Sequence, residues 1–358
     1  MQTTCLFEEH QKLGAKLTNF SGWNMPLHYG SQIEEHLKVR SDVGLFDVSH
    51  MHTLRIQGPD ALDFLSYVLA NNPGKLKNGR ALYSCILNPE GGIIDDLIAY
   101  KISDEDYFIV VNAGNLEIDL AWFEKQARPW EVQIQKLQDH GILALQGPKA
   151  RSALNQAWPE IESFVTQAKA FDCLWLPEAQ GLIAMTGYTG EDGLELILKQ
   201  EQILKLWQVL IKQGVQPCGL GARDSLRLEA GFNLYGQDMN TETTPIESNL
   251  IWTVAFNPGE RNFIGRAALE KNLHKITLEL KSLVLLDKGV CRNGQKVFAK
   301  GLEIGLLTSG GYSPCLKKGI GLARIPTGFE QVQVEIHGKK VAAKLYPSPL
   351  VKQGKAQI

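Results

Sequence analysis

A repeated segment constrains the fold of this chain more than any other feature. Arg55-Ile56-Gln57-Gly58-Pro59-Asp60-Ala61 reads as a strand end, a Gly-Pro turn and a helix start, with Leu62, Leu65 and Leu69 as an apolar stripe at helical spacing. Ala144-Leu145-Gln146-Gly147-Pro148-Lys149-Ala150 repeats the pattern and is followed by Leu154. Downstream of each copy lies a hairpin whose second strand follows a glycine-rich turn and carries a carboxylate. Gly92 stands four residues before Asp96, and Gly193 two before Glu195. Even offsets put each carboxylate on the strand face of its glycine. The period is too long and the copies too few for a solenoid. Two related α+β halves follow, each offering one carboxylate.

The first of these hairpins carries the most informative pattern. Between Tyr83 and Tyr100 two apolar, β-rich runs flank Asn88-Pro89-Glu90-Gly91-Gly92. Two consecutive aspartates interrupt the second run, although Asp is disfavoured in strands because its short side chain competes with the backbone for hydrogen bonds. Alternation places Ile94, Asp96, Ile98 and Tyr100 on one face and Ile93, Asp95, Leu97 and Ala99 on the other. One of the two carboxylates is therefore expected to be buried. They cannot act side by side as an acid/base dyad, so the strand works with a single aspartate.

Elsewhere the local signals are plainer. Leu6, His10, Leu13 and Leu17 have helical spacing, and 22–26 reads as an apolar loop packed beneath a site. Ser31-Gln32-Ile33-Glu34 is a capping box that should start a helix running to about Arg40. His50-Met51-His52 invites a metal reading, but no third ligand lies nearby and a structural role is the better account. Asn112 closes an apolar strand, where it can form an Asx turn or offer its amide to a ligand. The loop Gly187–Gly193 holds Glu191 and Asp192 and no following Lys, which argues against a phosphate cradle. Gly219-Leu220-Gly221-Ala222-Arg223-Asp224 fails as a dinucleotide fingerprint, because its sixth position is Asp. The helix at 222–230 instead puts Arg223 and Arg227 on one face, either as an exposed pair or as a clamp for carboxylates. From 236 to 262 the chain is loop-rich, with one strand-like piece around Trp252. Beyond Lys271, β-type runs at 276–286, 303–307, 319–325, 331–337 and 340–345 alternate with Gly and Pro turns, the pattern of a separate small barrel or sandwich.

Composition narrows the function classes. With 358 residues and 44% hydrophobic content the chain is too long for one core. The 37 basic and 39 acidic residues nearly cancel, so no nucleic-acid footprint is indicated. No apolar run approaches the ~20 residues of a membrane span, and the start of the chain lacks signal- and transit-peptide order. Six scattered cysteines with no C-x-x-C pair suit reduced thiols. A soluble cytoplasmic protein is expected.

Taken together, nine motifs in order resemble the aminomethyltransferase of the glycine cleavage system, the T-protein family, over essentially the whole chain. They are LGAK at 13–16, FSGWNMP at 20–26, VGLFDVSHM at 43–51, GGIIDDL at 91–97, LQGP at 145–148, GYTGEDGLE at 187–195, ARDSLRLEAG at 222–231, LYGQDM at 234–239 and TSGGYSPCLKKGI at 308–320. The resemblance implies an α+β fold: two interleaved α+β domains, with ferredoxin-like and Greek-key antiparallel sheets, plus a C-terminal all-β barrel, arranged around a central folate site. The implied domains are 1–53 with 139–243, 54–138 with 244–273, and 274–358.

The same resemblance implies an activity. The methylene carbon of aminomethyl-dihydrolipoyl H-protein passes to tetrahydrofolate, releasing ammonia and forming methylene-tetrahydrofolate. The implied partners are lipoylated H-protein and tetrahydrofolate as co-substrate, with no metal or nucleotide cofactor, no nucleic acid and no membrane, and a monomeric chain. Asp96 matches the essential aspartate. Met51, Tyr83, Asn112, Tyr188 and Glu195 match folate contacts, Arg223 a substrate-binding arginine, and Arg227 its neighbour. His52 stands where the family usually has Gly, and the tail PLVKQGKAQI lacks a late tyrosine found in some relatives. An alternative, a non-catalytic folate-binding protein of iron–sulfur cluster maintenance, would carry a KGCYxGQE-type motif; this chain has no Cys in 187–193 and keeps the aspartate pair. A folate module of a sarcosine- or dimethylglycine-oxidising flavoenzyme would carry a flavin domain with GxGxxG near its start.

Overall fold

The computed structural model describes all residues 1–358. The chain opens with α1 (Phe7–Lys12), shorter than the leucine spacing suggests, because Gly14 at φ +70° turns the backbone out of the helix. Residues 22–26 are not a loop: β1 (Lys16–Phe20) and β2 (Trp23–His28) pair as an antiparallel hairpin. The Ser31 hydroxyl accepts the Glu34 amide at 3.3 Å and starts α2 (Gln32–Ser41), as the capping box predicts.

There follow β3 (Gly44–Asp47), β4 (His52–Gln57), α3 (Ala61–Val68), β5 (Arg80–Leu87), β6 (Ile93–Ser103), β7 (Asp106–Val111), α4 (Leu116–Ala127) and β8 (Gln133–Lys136). The second copy gives β9 (His140–Gln146), α5 (Ala150–Ala157), α6 (Glu162–Gln167), β10 (Cys173–Leu176), β11 (Gly181–Ala184), β12 (Gly193–Lys199), α7 (Gln200–Lys212) and β13 (Gln216–Pro217). The sheet orders are β5-β6-β7-β4-β8 and β10-β11-β12-β9-β3-β13. Each copy thus runs strand, helix, three-stranded meander, with its last meander strand beside its first strand. The second sheet is antiparallel except where β13 lies parallel to β3. At the echoed turns Gly58 and Gly147 have φ of 142° and 124°, and a Cβ there would strike the carbonyl oxygens of Glu131 and Asp42. Only glycine fits, which is why the Gln-Gly-Pro signature marks both turns.

The register corrects one inference from the echo. Gln57 faces Asp106 and Gln146 faces Gly193, which puts Phe108 in the place of Glu195. Asp96 lies on the middle meander strand β6 and Glu195 on the last, β12, so the two carboxylates are not counterparts. A glycine-to-carboxylate spacing fixes the face of a strand but does not say which strand of a meander carries it.

By compactness the chain forms two units, Met1–Leu65 with Pro73–Tyr83 and Leu97–Arg223, and Ser66–Asn72 with Ser84–Asp96 and Asp224–Ile358. In the first, α7 buries Ile203, Leu206, Trp207 and Leu210, one helical stripe, among Leu143, Leu145, Leu194 and Leu196. Each such side chain contributes roughly 1.5–3 kcal/mol by leaving water. The second contains α8 (Leu220–Ala230) from Asp224 onward, α9 (Arg266–Asn272) and six strands: β14 (Leu278–Leu285), β15 (Lys296–Ala299), β16 (Leu302–Ser313), β17 (Lys318–Pro326), β18 (Gln331–Ile336) and β19 (Lys339–Tyr346). They close into a barrel in the order β14-β17-β16-β15-β18-β19, filled by Leu283, Leu285, Val297, Leu307, Ile325 and Val334. The strand-like piece around Trp252 is instead a single 3₁₀ turn, Ile251–Thr253, closed by the Val254 amide on the Ile251 carbonyl. None of the six cysteines forms a disulfide, and no helix is long and apolar enough to cross a membrane.

Candidate active site

In the first unit, the start of α8 is fixed from α2. The Glu35 carboxylate accepts the amides of Gly219 at 2.9 Å and Tyr29 at 2.6 Å, so a side chain from another helix caps α8. One turn on, the Arg223 guanidinium lies 4.3 Å from the centre of the Tyr188 ring, and its Nη2 is 3.8 Å from Met51 Sδ. Stacking of this kind contributes about 0.5–2 kcal/mol and orients the cation.

The loop that carries Tyr188 is tied down by side chains from α2, β9 and α5. Arg40 Nη1 donates to the Thr189 carbonyl and to Glu191 Oε1, each at 2.7 Å. Gln146, from the echoed motif, accepts the Thr189 hydroxyl at 2.8 Å and donates to the Thr186 carbonyl at 3.1 Å. Arg151 forks onto Asp192 at 2.7 and 3.1 Å. Beyond the loop, Thr186 Oγ1 donates to Glu195 Oε2 at 2.5 Å. Burial raises the pKa of Glu195, and the Thr186 hydroxyl and the Arg223 charge partly offset it. Tyr100 is fully buried; its pKa is pushed well up by burial and then by the Glu195 charge.

Met51 lies just past a polar knot. Asp47 accepts Thr4 Oγ1 at 2.6 Å and the Ser49 amide at 2.9 Å, and pairs with His10 Nε2 at 2.9 Å. The histidines on either side of Met51 part company. His50 meets the edge of Phe20, whereas His52 tilts over Trp23. Burial is the main cause that lowers their pKa, to about 3 for His50, with the Arg223 charge next, and to about 4 for His52. Two neutral rings on separate aromatic partners are built as packing groups. Tyr83 and Asn112 are partly exposed, and the Asn112 carbonyl accepts the Asn115 amide at 3.1 Å in the turn before α4.

In the second unit, Asp95 is wholly buried while Asp96 keeps part of its surface open. Alternation therefore does separate the two aspartates, and the partly exposed one is the second. The start of its strand is pinned: Asn88 Oδ1 accepts the Gly92 amide at 2.7 Å, the Ile93 amide reaches the Thr243 carbonyl at 2.9 Å, and Tyr235 donates to the Ile93 carbonyl at 3.3 Å. The charge of Asp96 adds to burial in raising the Cys85 thiol.

Arg227 differs from Arg223. Its side chain is 2% exposed and donates to Asp224, to the Phe232 carbonyl, to Asp238 and to Ser309, at 2.8 to 3.1 Å. Helical spacing places the two arginines on one face, but their guanidinium groups go to different partners, and Arg227 is occupied as a buried hub. Thr186 and Asp238 are absent from the sequence reading. Asp238 sits inside the LYGQDM motif; a single threonine before a glycine gives no signal at all.

Of the predicted residues, the first unit thus brings together Met51, Tyr188, Glu195 and Arg223: a thioether, an aromatic face, a carboxyl and a cation. This donor set fits a flat, hydrogen-bonding ligand that carries negative charge. Comparison with known proteins gives the surface a family. Residues 6–258 match the model of the GCVT N-terminal domain, and 279–352 that of the glycine cleavage T-protein C-terminal barrel domain. The chain is 46% identical to an aminomethyltransferase of Francisella tularensis subsp. tularensis over the full length of both. It is 47% identical to one of Nitrosococcus oceani, covering 99% of this chain and 96% of that one. The crystal structure of glycine cleavage system aminomethyltransferase T from Bartonella henselae superposes with a TM-score of 0.93 at 37% identity, over 98% of each chain. The chain belongs to the aminomethyltransferase (glycine cleavage T-protein) family. It is accordingly a one-carbon transferase, and the α+β fold with its closed C-terminal barrel is that of the aminomethyltransferases.

Proposed function

We propose that this aminomethyltransferase transfers the methylene carbon of aminomethyl-dihydrolipoyl H-protein to tetrahydrofolate, releasing ammonia and leaving dihydrolipoyl H-protein. In the net change one C–S and one C–N bond break and two C–N bonds to folate nitrogens form. The two displaced N–H protons leave with the thiol and the ammonia.

The observation that carries this reading is the partial exposure of Asp96 on a strand whose neighbouring aspartate, Asp95, is wholly buried. An anion among apolar neighbours gains most from a ligand N–H, so Asp96 is assigned to accept from the pterin-side nitrogens and raise the nucleophilicity of the attacking one. Positioning of this kind draws on the ~7–11 kcal/mol available to well-oriented reactants. Arg223 supplies positive charge for glutamate-tail carboxylates, and Tyr188, with Met51, a surface for an aromatic ring. Tyr83, Asn112 and Glu195 are assigned polar contacts to the folate. Arg227, saturated by Asp224, Asp238 and Ser309, is assigned to hold the C-terminal part of α8. The same reading takes 1–53 with 139–243, 54–138 with 244–273, and 274–358 as the domains, supported by the two sheets of like strand order.

Ammonia release from aminomethylated H-protein, with and without tetrahydrofolate, tests the activity and separates it from mere folate binding. Asp96→Asn should nearly abolish folate-dependent release while folate affinity falls only modestly. Wild-type turnover in this variant would falsify the role given to Asp96.

A further inference from the structure

Thr186 has no place in the reading above, yet it makes a short polar contact, 2.5 Å, to Glu195 of the candidate site. We propose that Thr186 is a positioning residue that fixes which oxygen of Glu195 faces the N–H-bearing ring of the one-carbon acceptor. The proposal rests on the folate reading of the same site.

Thr186 is 8% exposed, and its backbone is anchored because the Gln146 amide donates to its carbonyl at 3.1 Å. Thr186 lies two residues past the end of β11, where β11 and β12 pair with Ala184 opposite Glu195, so the hydroxyl comes off the end of the strand beside Glu195. Its Oγ1 donates to Glu195 Oε2 at 2.5 Å. A hydroxyl has one proton. Once that proton is given to Oε2, this oxygen is committed as an acceptor, and any proton on the carboxyl group must sit on Oε1. Arg223 is the other charged group that acts on this carboxyl, and the buried Tyr100 hydroxyl, which feels the Glu195 charge, also bonds Thr186. Burial favours its neutral form, and the Thr186 hydroxyl and then Arg223 its ionised form. In both forms Thr186 sets the geometry: it holds the carboxyl group with Oε2 toward the hydroxyl and leaves Oε1 to accept an N–H when ionised and to donate its O–H when neutral.

Reciprocal mutants test the orientation. Thr186→Val should weaken tetrahydrofolate binding about tenfold, the scale of one hydrogen bond to a charged group, while kcat at saturating folate stays within about twofold. Thr186→Ser, which keeps the donor, should restore wild-type affinity. In Glu195→Gln, Thr186 will hold the amide oxygen inward and turn the NH₂ outward, so that affinity falls. Adding Thr186→Val then frees the amide to rotate, and the double mutant should bind folate more tightly than Glu195→Gln alone. If Thr186→Val does not fold, Thr186→Ala takes its place in both comparisons. Unchanged affinity in the single mutant, or losses that simply add in the double mutant, overturns the assignment. A wild-type enzyme with no folate-dependent ammonia release overturns the proposed function instead.

Discussion

The firmest energetic prediction concerns Asp238→Asn. Asp238 is fully buried, and its Oδ2 accepts Arg227 Nη1 at 2.9 Å, the Leu234 amide at 2.9 Å and Ser309 Oγ at 2.8 Å. Its Oδ1 accepts the Thr308 hydroxyl. Asparagine has the same shape but one oxygen, so whichever way the amide turns, an NH₂ faces donors. The Arg227 charge, with a 2% exposed side chain, also loses its buried counter-ion. Its ion pair with Asp224 is a weak substitute, because that side chain is 53% exposed. Surface screening offers no relief at such burial, so the cost is that of a broken buried pair, about 3–5 kcal/mol. At about 2–4 °C per kcal/mol for a unit of this size, the melting temperature should drop by roughly 10 °C. Urea and thermal unfolding followed by circular dichroism, with wild type at the same pH and ionic strength, measure it. A loss below about 1 kcal/mol would refute the claim that Arg227 depends on this carboxylate.

Two further tests concern backbone fit and pH. Gly92→Ala should destabilise the protein by about 1–3 kcal/mol or more, because the added methyl meets the Thr241 carbonyl and the Asn88 amide; an unshifted urea midpoint would show that this turn yields freely. His50 and His52 titrate near 3 and 4 in the fold but near 6.5 in the unfolded chain. Between about pH 6.5 and 4 the unfolded state binds more protons, so these residues make stability fall as pH falls through that window. Glu35 and Glu195, raised by burial, work in the opposite sense. The comparison is therefore between variants: His52→Asn should lose stability less steeply than wild type from pH 7 to 5, and parallel curves would count against a depressed His52.

Sequence pattern alone determined the features that rest on local physics. The capping box at Ser31, the two Gln-Gly-Pro turns that only glycine can make, the stripe of α7 and the strand–turn rhythm of the barrel all follow from neighbouring residues. Alternation along β6 also fixed that Asp95 and Asp96 must part, since successive side chains point to opposite faces. Which of them stays open was decided by what packs on each face, and that is set by residues far away in the chain. The same holds for Arg223 and Arg227, one turn apart: Tyr188 and Met51 receive one, Asp238 and Ser309 the other. Glu195 and Thr186 meet because β11, which ends two residues before Thr186, pairs with β12, and burial lowers the pKa of the histidines beside Met51, one against Phe20 and one against Trp23. A linear sequence specifies which groups exist and which way a helix or strand turns them. Burial, partner and charge state belong to the assembled structure, because each depends on a neighbour that only the fold brings near.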